Sequence, residues 1–111
     1  MARIASWSCA VLAFLTLAAC GDSTGITAEQ IACPTPQTLT YANFGQQVIT
    51  DYCLECHATR ERPHLTSQAE IQAAADEIIT EAVFHSSMPE DASMTDELRI
   101  QLGQWLQCGA P

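Results

Sequence analysis

Thr40-Tyr41-Ala42-Asn43-Phe44-Gly45-Gln46-Gln47-Val48-Ile49-Thr50-Asp51-Tyr52-Cys53-Leu54-Glu55-Cys56-His57 is the stretch on which the reading of this chain turns. Its first part has a helical period: Tyr41, Phe44, Val48 and Tyr52 recur at three- and four-residue steps. Gly45, Ile49 and Cys53 fall four apart on a neighbouring face, and Thr40 stands where an N-cap oxygen is needed. The spacing predicts a helix over 41–53. Its last part closes as Cys-x-x-Cys-His, which on a helical turn puts two thiols on one side with an imidazole beside them.

Towards the C-terminus two more helices follow. Ser67-Gln68-Ala69-Glu70 has the form of a capping box and opens a helix from about Gln68 to Phe84. Ile71, Ala75, Ile78, Ile79 and Ala82 form its apolar stripe, and Asp76, Glu77 and Glu81 its solvated side. A loop from His85 to Met94 contains Met88-Pro89. Thr95 then caps a last helix, with Asp96 and Glu97 at its positive end and a buried stripe of Leu98, Leu102, Trp105 and Leu106. No strand-period segment and no internal repeat interrupts this pattern. The expected fold class is all-α, with about three main helices.

Towards the N-terminus the character changes. Arg3 precedes an apolar run from Ala10 to Ala19, ten residues long, where a bilayer-spanning helix needs about 20. The run ends in Leu17-Ala18-Ala19-Cys20-Gly21, which resembles a bacterial lipobox. The expected organisation is a signal peptide over 1–19, a lipidated Cys20 with a flexible linker over 20–37, and a folded domain over 38–111. Diacyl modification would anchor the chain to a membrane through Cys20, on the periplasmic side of a bacterial envelope. The 111 residues carry four arginines, no lysine and thirteen acidic side chains, a net charge of −9. Without Arg3 the balance is −10. Such a chain lacks the basic footprint of a nucleic-acid binder, and no nucleic-acid partner is expected.

The six cysteines sort into roles. Cys9 leaves with the signal peptide and Cys20 is taken by lipid; Cys33 and Cys108 remain as a pair expected to form a disulfide in an oxidising compartment. Cys53, Cys56 and His57 form the haem-attachment sequence, in which each thiol adds across a vinyl group and the imidazole binds the iron. The spacing also admits a simple disulfide within the pair, a thioredoxin-like dithiol or half of a zinc site. The last two lack their context here, a β-α-β unit or a second ligand pair.

Gly45-x-x-x-Ile49-x-x-x-Cys53-x-x-Cys56-His57 resembles the first helix and haem-binding segment of class I c-type cytochromes. The resemblance covers about residues 40 to 111 and implies one covalent haem c held through Cys53 and Cys56. It implies that a C-terminal helix crosses at Gly45, with Trp105 against Gly45 and Ile49. Arg62-Pro63-His64-Leu65 looks like the family loop whose proline carbonyl accepts the Nδ1 proton of the proximal histidine, with Leu65 at the haem face. Met88-Pro89 fits the family's distal thioether ligand; Met94, His85 and His64 compete for that role. The departures are Ile49 in place of a phenylalanine, no lysine, and only 31 residues from His57 to Met88.

The expected function follows from the resemblance: a single-haem carrier of one electron between redox proteins, not an enzyme. The acidic balance points to partners with basic docking surfaces. Two other readings are an open or labile sixth site that binds peroxide or a gas, and a cytochrome subunit of a larger oxidoreductase.

Overall fold

A computed structural model describes residues 22–111. The signal peptide expected over 1–19 and the lipidation expected at Cys20 lie outside the described residues.

Thr40 opens the first helix with a reciprocal cap. Its Oγ1 accepts from the Asn43 N–H at 3.1 Å, and Asn43 Oδ1 accepts from the Thr40 N–H at 2.7 Å. A π-helical turn over Tyr41–Gly45 leads into helix α1, Gln46–Tyr52. The helix breaks at Cys53 (φ −123°, ψ −38°), and one further turn, α2 over Leu54–His57, carries Cys56 and His57. The uninterrupted helix expected over 41–53 is therefore two pieces, a π-helical turn and α1, which end where the thiols begin.

The expected helix from Gln68 to Phe84 is also broken. Helix α3 (Gln68–Ala73) ends at Ala74 (φ −95°, ψ 7°), whose N–H is shared between the Glu70 and Ile71 carbonyls. Helix α4 (Ala75–Ile78) follows and widens into a π-helical turn over Ile79–Phe84. The change of register puts Ile71, Ala74, Ile78, Ile79, Ala82 and Val83 in the core, so Ala74 takes the buried place expected of Ala75. Ser67 accepts from the Glu70 N–H at 3.2 Å, while the Glu70 carboxylate takes the Thr66 and Ser67 hydroxyls rather than closing the box on the backbone. These hydroxyl bonds, Thr66 first, hold the Glu70 carboxyl below the usual range.

Helix α5 (Asp96–Gln107) starts at Thr95, whose Oγ1 accepts from the Leu98 N–H at 3.2 Å. Leu102, Trp105 and Leu106 are buried, and Leu98 is half-buried. At Gly45 a Cβ would overlap the Trp105 indole, so the first and last helices meet at a contact only glycine permits. Phe44 adds an edge-on ring contact to the indole, with centroids 6.1 Å apart. The chain end then ties the helices together. The Pro111 main-chain oxygen accepts from the Tyr41 N–H and the Trp105 indole N–H, and the Ala110 carbonyl accepts from the Gln68 and Gln72 side chains.

Residues 22–37, expected as a flexible linker, are docked on the domain. Ile31 is fully buried, and its Cγ2 lies 2.6 Å from where a Cβ on Gly103 would stand. Thr24 donates from its N–H to the Phe84 carbonyl at 2.9 Å and from Oγ1 to the Val83 carbonyl at 2.6 Å. Ser23 and His85 form an isolated antiparallel bridge. The segment docks because the end of the Ile79–Phe84 turn leaves carbonyls without helical donors, which Thr24 supplies. Apart from that bridge, no strand occurs among the described residues, and the architecture is all-α.

Cys33 and Cys108 form a disulfide, with Cα atoms 4.9 Å apart and a sequence separation of 75. It fixes the docked segment to the end of α5. Replacing both cysteines by serine is expected to cost about 2–5 kcal/mol of stability, read from urea denaturation. An unchanged midpoint would show that Ile31 and Thr24 hold the segment unaided.

Candidate haem-binding cleft

Helix α2 and the loop behind it set the proximal side. The His57 N–H bonds to the Cys53 carbonyl and the Leu65 N–H to the His57 carbonyl, each at 2.9 Å, so the loop returns to the turn that carries the motif. His57 Nδ1 lies 2.9 Å from the Pro63 carbonyl oxygen. A carbonyl only accepts, so Nδ1 carries the proton and Nε2 of the neutral ring keeps its lone pair. Leu65 is buried beside this pair.

Cys53 and Cys56 are both free thiols. The simple disulfide within the pair is thus not formed, while Cys33–Cys108 is. Burial pushes the Cys53 thiol up to about 11, which keeps it protonated at neutral pH. Cys56 is half-buried and has the Arg60 guanidinium 3.6 Å from its sulfur; Arg60 is itself held by the Glu55 carbonyl at 2.9 Å. Among the described residues no group of three or more His, Cys, Asp and Glu side chains converges as a metal site, so the pair has no second set of zinc ligands.

A cleft of about 460 Å³ opens over the motif, lined by Cys53, Cys56 and His57 together with Met88 and Pro89. An adjoining apolar recess of about 100 Å³ is lined by Leu65, Ile78, Ala82 and Met94 and shares Cys53, His57 and Met88 with the cleft. Met88 therefore faces both spaces, whereas Met94 is a buried core residue that reaches only the smaller one. The two competing histidines lie elsewhere. His64 lines a separate open depression beside Glu70 and Glu77, and His85 lies in the bridge to Ser23. The mouth of the cleft is acidic, with Asp51, Glu55, Glu61, Glu90 and Asp91 all exposed there, against Arg60 and Arg62.

The residues fit a haem. Two free thiols, an imidazole with its Nε2 lone pair available and a thioether converge on one cleft with an apolar floor. The pattern of residues indicated these groups but not what holds the Met88 loop. That role falls partly to Arg99, a buried cation on α5 that the helical period alone marks only as inward-facing.

Comparison of the chain with protein-family models, with curated proteins and with solved structures finds no match.

Proposed function

We propose that this chain is a membrane-tethered, single-haem c-type cytochrome domain that carries one electron between redox partners. The observation that carries the reading is the bond to the Pro63 carbonyl from Nδ1 of His57, which lines one cleft with Cys53, Cys56 and Met88. When bound, the haem supplies an iron that takes up and releases one electron. Cys53 and Cys56 would hold it through thioethers, each S–H adding across one vinyl group. His57 Nε2 would be the proximal ligand, and the Pro63 carbonyl fixes its ring orientation and makes it a stronger donor. Met88 would supply the sixth ligand, a soft thioether that favours the reduced state. Leu65, Ile78 and Ala82 would give the group an apolar surface to lie against.

The class I cytochrome likeness stated for residues 40 to 111 is part of this proposal. So is the lipid anchor. If Cys20 is lipidated, only Gly21 separates it from Asp22, whose carbonyl accepts from the Ser86 N–H at 2.8 Å. Two residues span at most about 7 Å, so the docked segment would hold the domain close against the bilayer. No helix among the described residues is long and apolar enough to cross a membrane.

The acidic mouth of the cleft sets the docking preference. Reduced protein is expected to pass its electron faster to a cationic metal complex than to an anionic one of similar potential. The rate with the cationic acceptor should fall by about tenfold from low to high salt. Stopped-flow oxidation measures it. Failure to react with either acceptor would contradict the carrier reading, and a salt-independent rate would contradict acidic docking.

A further inference from the structure

Met88 sits in a loop whose own sequence, Ser86-Ser87-Met88-Pro89-Glu90, offers little to hold it. Pro89 has no N–H to donate. The support comes from two helices. The Met88 N–H donates to the Glu81 carbonyl at 3.1 Å, and Ser87 Oγ donates to the same carbonyl at 3.0 Å and to the Glu81 carboxylate. On the other side, Arg99 reaches from α5, the residue only 6% exposed. Its Nη1 donates to the Ala82 carbonyl at 2.6 Å and to the Met88 carbonyl at 2.9 Å. Both main-chain polar groups of Met88 are therefore engaged, one by the Ile79–Phe84 turn and one by α5.

The geometry points to a specific task for Arg99. We propose that Arg99 is a positioning residue for the Met88 side chain, locking the ligand loop to α5 and to the Ile79–Phe84 turn so that the thioether stays in the cleft. The proposal rests on the reading of Met88 as sixth ligand. One nitrogen bridges two carbonyls from different segments, so the loop cannot swing away without breaking a charge-assisted, partly buried bond. The cation is well suited to it: its hydrogen bonds to carbonyls are stronger than neutral ones, and the guanidinium keeps its charge when buried. Leucine at this position would fill part of the space and leave the Ala82 and Met88 carbonyls without their donor.

Imidazole titration of the oxidised holoprotein, followed in its absorption spectrum, reads how readily an outside ligand displaces Met88. Arg99→Leu is expected to bind imidazole about tenfold more tightly than the wild type, and Arg99→Lys, which restores a cationic donor, close to wild type. Arg99→Gln, whose amide is too short to bridge both carbonyls, should resemble Arg99→Leu and serves where that variant does not accumulate. Leu102→Ala, a buried change on the same helix, should lower stability and leave imidazole affinity unchanged, which separates positioning from general loosening. Wild-type affinity in Arg99→Leu or Arg99→Gln, with Met88→Ala binding tightly, would overturn the role of Arg99 alone. Equal affinity in Met88→Ala and wild type would overturn the ligand reading together with it.

Discussion

Met88→Ala is expected to open the sixth position of the oxidised holoprotein. The weak long-wavelength sulfur-to-iron band should disappear, the spectrum should shift towards high spin, and imidazole should bind on the order of a hundredfold more tightly. The size follows from the loss of an internal competitor held at high effective concentration by its own loop. The reduction potential should fall, because the remaining ligands favour the reduced state less than a thioether does. Met94→Ala should keep the band, since Met94 is a core side chain that reaches only the apolar recess. If Met94→Ala loses the band and Met88→Ala retains it, the two assignments are exchanged. If wild type is itself high-spin and binds peroxide or a gas, the open-site reading takes over.

Trp105→Ala is expected to cost about 3–5 kcal/mol, a large part of the 5–15 kcal/mol that holds a typical domain folded. The indole is fully buried, donates to the Pro111 main-chain oxygen at 3.3 Å and meets Phe44 edge-on. It also lies over Gly45 where no Cβ fits. Gly45→Ala should therefore destabilise the wild-type protein by about 1–3 kcal/mol through overpacking. In the Trp105→Ala background the clash is gone, and the same change should be neutral or stabilising, because alanine is the better helix former by about 1 kcal/mol. Denaturation of the four proteins gives the coupling directly. Additive effects would mean that the helices do not cross at Gly45.

The Thr95 cap and the buried stripe of α5 were legible because that helix is strongly periodic and Thr95 stands at its start. The Gly45–Trp105 approach came instead from the likeness to class I cytochromes. Other features leave weaker traces. Ala74 and Ala75 are identical side chains, so only the backbone break decides which is buried. Ile31 is one apolar residue in a polar, aperiodic segment, and its partner Gly103 is distant in sequence. The docking of Thr24 relies on main-chain carbonyls at a helix end, and that of Asp22 on its own carbonyl accepting from the Ser86 N–H, groups that carry no residue signature. Arg99 lies in register with Leu102 and Leu106, yet its charge reads as a surface residue. Its acceptors are again carbonyls, and these become available only because the turn over Ile79–Phe84 ends beneath it.

At the cleft, Cys53, Cys56 and His57 were legible as a Cys-x-x-Cys-His spacing, whereas Met88 came from the likeness to the family's Met-Pro pattern. The contact between His57 and Pro63 came from the likeness of one short loop. The support from Glu81, Ser87 and Arg99 came only with the structure. The proposed ligand set is written in side chains, whereas much of what holds those residues in place is main chain.

The most direct test is to express the full chain alongside a cytochrome c maturation system and extract the purified protein with acidified acetone. Covalent attachment through Cys53 and Cys56 predicts that the haem stays with the polypeptide. The intact mass should then show one haem per chain, and Cys53→Ala with Cys56→Ala should abolish it. A chain that emerges without haem, while a control cytochrome in the same cells matures normally, would contradict the proposed function at its root.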